Sequence, residues 1–120
     1  MKFSTIIAIV FSLLSMALML IEADHTVWIH NKVTAGTWTN VSASVTNGGD
    51  SFNAGGDWAH NGYSVSIPDS VNSYWLQFRV AASTEDNKWR GPIPNDGDKC
   101  WHFHGTIDNW EIFECTSIRL

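Results

Sequence analysis

Along most of this chain, hydrophobic and polar residues alternate with the two-residue period of extended backbone. In residues 25–33, Val27 and Ile29 fall on one side while Trp28 and His30 fall on the other. Residues 62–67 set Tyr63, Val65 and Ile67 on one face, and Pro68 with Asp69 ends the run. The cleanest alternation spans residues 73–81, with Tyr74, Leu76, Phe78 and Val80 against Trp75, Gln77 and Arg79, and it predicts a central strand. Residues 36–45 also read as a strand, but Trp38, Val41 and Val45 do not share one parity, so a bulge is expected there. Asn47, Gly48, Gly49 and Asp50 form a strong turn signal. Residues 51–61, rich in Gly, Asn and Asp, read as a loop that carries Phe52, Trp58 and His60. Residues 83–98 read as a long polar connection in which Pro92 and Pro94 impose an extended path unsuited to a central strand.

The end of the chain sets the frame for the rest. Cys100 and Cys115 bracket a hairpin pattern whose turn residues lie at 105–109. If the two cysteines face each other across an antiparallel pair, Trp101 lies opposite Glu114, His102 opposite Phe113, Phe103 opposite Ile112 and His104 opposite Glu111. Trp101, Phe103, Trp110 and Ile112 then share an apolar face that must be buried. Cys100, His102, His104, Glu111, Phe113 and Cys115 share the other. No window beyond the N-terminal run repeats apolar residues at a helical period. The expected fold is all-β, a small antiparallel β-sandwich of about six strands with one disulfide across a C-terminal hairpin.

Residues 1–23 read as a secretory signal peptide, with basic Lys2 followed by an uncharged apolar run, and residues 24–120 as a single secreted domain. Two cysteines in such a chain are expected to pair, adding about 3 kcal/mol through the short loop they close. Removing Lys2 and Glu22 with the leader leaves six Lys/Arg of seven and eleven Asp/Glu of twelve, a net charge of minus five. With no basic stripe, nucleic acid is not an expected partner, nor is broad attraction to anionic membranes.

No serine stands in a nucleophile-elbow context, the Asp96, Gly97, Asp98 triplet reads as a turn, and Glu111 and Glu114 face opposite ways, so no enzyme is predicted. His102 and His104, two apart on a strand, with Glu111 across from them, form a candidate ligand set for zinc or copper; the competing reading is a solvated hairpin face. The seven tryptophans are the heavier signal. Trp101 and Trp110 fit the core, while Trp28, Trp75 and Trp89 lie off the apolar pattern and Trp58 lies between glycine-rich stretches. An exposed indole suits sugar stacking or a membrane interface, which makes Trp58, His60 and Trp89 the candidate ligand-binding residues. Asn40, followed by Val41 and Ser42, is an N-glycosylation acceptor.

Val27, Trp28, Ile29, His30 and Asn31, followed by Trp38, resemble the opening of aegerolysins. That resemblance implies a small acidic, tryptophan-rich, secreted β-sandwich that binds membrane lipid, some members forming pores with a partner. The segment around Cys100, His102, His104 and Cys115 departs from that pattern, and no binding residue is carried over. The expectation is a secreted non-enzymatic binding protein of the toxin, effector or defence type, recognising a membrane-lipid or glycan surface through loop tryptophans. A metal-binding protein built on the hairpin face and a structural extracellular protein are the alternatives, and a protein partner stays open.

Overall fold

The computed structural model describes residues 24–115, so the signal-peptide expectation lies outside the described residues. Among the described residues, eight strands run in chain order: β1 (His25–Val33), β2 (Trp38–Ser44), β3 (Ser51–Trp58), β4 (Tyr63–Ile67), β5 (Ser73–Val80), β6 (Lys88–Pro94), β7 (Lys99–Thr106) and β8 (Asn109–Glu114). They form two four-stranded sheets, ordered β4-β1-β7-β8 and β3-β2-β5-β6. Every pairing is antiparallel except β1 with β7, which is parallel. The all-β expectation holds, with eight strands in place of six.

The two additional strands come from segments read as loops. β3 holds four residue types that strands disfavour, yet Gly55 and Gly56 are there because backbone passes too close for a side chain. A Cβ on Gly55 would stand 2.8 Å from the Ser64 carbonyl oxygen of β4, and one on Gly56 would stand 2.8 Å from the Thr39 carbonyl oxygen. β3 and β4 therefore close one side of the sandwich. β6 tolerates Pro92 and Pro94 because it is an edge strand whose outer side needs no donors.

The faces follow the alternation. Val27, Ile29, Val33, Val41, Ala43, Val65, Ile67, Tyr74, Leu76, Phe78, Val80, Trp101, Phe103, Trp110 and Ile112 form one buried cluster between the sheets. The hairpin register is the one the cysteines demand, from Trp101↔Glu114 to His104↔Glu111, and Cys100–Cys115 is a disulfide. The bulge expected in the second strand is not there: β2 pairs with β5 in unbroken register, and the irregularity belongs to β3, where Phe52 is left over between Ser51, paired with Ser44, and Asn53, paired with Ala43.

Candidate functional site

The outer face of the β3-β2-β5-β6 sheet is built by register. Because Tyr74, Leu76, Phe78 and Val80 of β5 face the core, Trp75, Gln77 and Arg79 face out. Cross-strand partners share a face, so Asn40 and Ser42 of β2, opposite Arg79 and Gln77, also point out, as does Trp89 of β6, opposite Gln77. Trp38 lies two residues before Asn40 and pairs with Trp58 at the end of β3. One sheet face thus carries Trp38, Trp58, Trp75 and Trp89, with Asn40, Ser42, Gln77 and Arg79 between them. Across the three strand spacings from β3 to β6 it is about 14 Å wide.

Small residues keep that face flat. A Cβ on Gly56 would meet the Trp38 ring at 3.2 Å, and one on Gly91 would meet the Trp75 ring at 2.6 Å, so each indole lies against bare backbone. The Trp38 and Trp58 rings meet edge to face at 5.3 Å, which leaves Trp58 54% exposed. Ser42 Oγ donates to Gln77 Oε1 at 3.4 Å, a weak bond that leaves both groups capacity for a ligand. From beneath, buried Asn31 donates from Nδ2 to the carbonyl oxygens of Trp58 (2.9 Å) and Asp57 (3.2 Å), fixing the end of β3.

Trp58 and Trp89 are therefore strand residues, not loop residues, and they act with two further indoles. Trp75 carried a signal in the sequence, since it breaks the apolar parity of its strand. Trp38 carried none, because the expected bulge left its face undecided. His60 takes a different place. It follows β3 in a turn with a φ of 71° and lines a cavity of about 310 Å³ with His30, Asn31, Lys32 and Gly62. Asn40 lies half-buried between Gly56 and Arg79, so the glycosylation acceptor belongs to the tryptophan face itself.

The opposite sheet presents a second polar face. His102 and His104 lie on it as expected, and the parallel pairing of β7 with β1 adds His30 opposite His102 and Lys32 opposite His104. The ring of His30 meets that of His102 edge to face at 4.5 Å, and the centroids of His102 and His104 are 5.6 Å apart. Phe113, itself 44% exposed, packs at 5.0 Å from both His102 and His104. Glu111 is exposed on the edge strand β8, opposite His104. Burial, then the neighbouring His30, His104 and Lys32, holds the His102 imidazole below the usual histidine range. His30 was missed in the sequence because only a parallel partner strand could bring it there.

Metal-ligating atoms of His30, Cys100 and Cys115 lie within 4.8 Å of one another, but both sulfurs are held in the disulfide. A third feature is a cleft of about 290 Å³ at the open side of the sandwich, between β6 and the β7–β8 hairpin, lined by Arg90, Pro92, Lys99, Trp101 and Glu114 among others.

No family model and no curated protein matches the chain, so the likeness of β1 to aegerolysins stands on its own few residues. Among solved structures, the chain is similar to a protein from Eubacterium rectale determined by NMR, with 10% identity and a TM-score of 0.49 over 81% of this chain and 93% of that one. It is similar to pneumolysin, with 11% identity and a TM-score of 0.47 over 80% of this chain and 24% of that one. It is also similar to the membrane-binding domain of pneumolysin, with 12% identity and a TM-score of 0.44 over 78% and 97%. Overlaps of this degree carry no inference about function.

Proposed function

We propose that this chain is a secreted, non-enzymatic binding protein of the toxin, effector or defence type. It recognises a surface through the outer face of the β3-β2-β5-β6 sheet. The observation that carries this is the register that sets Trp38, Trp58, Trp75 and Trp89 around Asn40, Ser42, Gln77 and Arg79. Glycan is the better of the two surface types. Sugar rings stack their C–H faces on indoles, and sugar hydroxyls satisfy amide, hydroxyl and guanidinium groups lying between the stacking sites. Lipid headgroups offer phosphate and ester acceptors that suit Arg79, but they match the mixed donors and acceptors of Asn40, Ser42 and Gln77 less fully than sugar hydroxyls do.

Co-sedimentation of the protein with insoluble polysaccharides and with liposomes, with and without EDTA, tests it. Saturable, EDTA-indifferent binding to a polysaccharide, lost in Trp58→Ala while the melting temperature is kept, is the expected outcome. Liposome binding alone would return the face to lipid, and the absence of binding to either would remove the function altogether.

A further inference from the structure

Independently of the tryptophan face, we infer that the outer face of the β4-β1-β7-β8 sheet is a transition-metal site built by His30, His102 and His104. Three observations converge on it. First, parallel pairing places His30 directly opposite His102, and His104 follows two residues along the same strand, so all three imidazoles rise from one side of the sheet. Second, two of the three ring separations suit a shared ion. Imidazole nitrogens about 2.0–2.1 Å from a tetrahedral zinc put neighbouring ring centroids about 5 Å apart, and the two observed separations, 4.5 Å and 5.6 Å, bracket that value. Third, His30 Nε2 and His102 Nδ1 are buried without a hydrogen-bond partner, an expensive state for two ring nitrogens that ligation would relieve in at least one of them.

The remaining groups on this face fit the same conclusion. Lys32 stands opposite His104 and opposes a cation there, while Glu111 stands opposite His104 on the other side and offsets it. The nitrogens do not yet meet at one point, since the compact ligand group among the described residues is His30 with the disulfide sulfurs. Exposed His104 must therefore turn about its side-chain bonds to close the set. Soft-to-borderline divalent ions that favour imidazole, zinc and copper above all, are the class this site takes.

Calorimetric titration of zinc chloride and of copper sulfate into the full chain, disulfide intact and near neutral pH, tests the inference. One saturable site per chain is expected, weakened at least about tenfold by His30→Ala and by His104→Ala, since tenfold is the scale for losing even a supporting partner of a ligand. The paramagnetic resonance spectrum of the copper form should show coupling to imidazole nitrogens, a readout that a merely destabilised variant would not mimic. The inference is overturned by the absence of a stoichiometric site or by binding that survives His30→Ala and is lost in Glu111→Gln. Binding that appears only after a dithiol has reduced Cys100–Cys115 would overturn it too, because the ligands would then be thiolates.

Discussion

Asn31 is the polar residue on which the two sheets are fastened. It is 2% exposed, donates to the Asp57 and Trp58 carbonyls, and accepts from Thr39 Oγ1, which in turn shares a bond of 2.8 Å with the Tyr63 hydroxyl. Removing the amide strands several buried partners at once, so Asn31→Ala should cost about 2–3 kcal/mol. By thermal unfolding that is a drop of roughly 10 °C or more for a domain of this size. An unchanged midpoint would show that water replaces the amide. Trp58 lies above this network and contributes differently. Its ring touches Trp38 but stays more than half exposed, so Trp58→Ala should cost at most about 1 kcal/mol. The same substitution should weaken polysaccharide binding at least about tenfold, equivalent to 1.4 kcal/mol. His102 supplies the pH dependence. Its imidazole is held below the ordinary value of 6.5, so the unfolded chain takes up the proton first as pH falls. Stability from this group is full above that value and is lost on acidification through the lower folded value. Melting temperatures measured from neutral pH into the acid range should therefore fall, with a smaller slope in His102→Gln.

At the scale of elements, the closing hairpin was legible because two cysteines and a strict alternation fix one register, and Trp101, Phe103, Trp110 and Ile112 are all buried as that register requires. β5 and β1 were legible for the same reason. β3 was not, because its glycines answer to tertiary contacts with Ser64 and Thr39 that no local pattern records. The tryptophan face was half legible: parity exposes Trp75, but grouping it with Trp38, Trp58 and Trp89 requires knowing that β3, β2, β5 and β6 share one sheet. His30 shows the same limit, since a parallel pair joins strands far apart in sequence. The closeness of β3 to β4 makes a sharp prediction. Gly55→Ala should destabilise by about 1–3 kcal/mol as the new methyl meets backbone, whereas Gly97→Ala, with nothing within 4 Å, should stay within about 0.5 kcal/mol of the parent. Chemical denaturation of the two variants side by side checks it, and equal stabilities would mean that β3 and β4 are free to move apart.

For the molecule as a whole, the two sheets offer two outer faces with different chemistry, and Asn40 makes one of them exclusive. Its side chain rises from β2, a strand paired on both sides, between Gly56 and Arg79 and amid the tryptophans. A branched glycan attached there would lie over the rings that are proposed to stack on sugar, so occupancy of Asn40 and ligand binding by that face cannot coexist. The histidine face, on the other sheet, would be untouched. Protein made in a host that glycosylates should therefore divide into two populations. The unmodified fraction should bind polysaccharide and the modified fraction should not, while both take up zinc equally. Asn40→Gln, made in the same host, should restore a single binding population. If the glycosylated fraction binds as well as the unmodified one, the tryptophan face is not the recognition surface, whatever the exposure of Trp58.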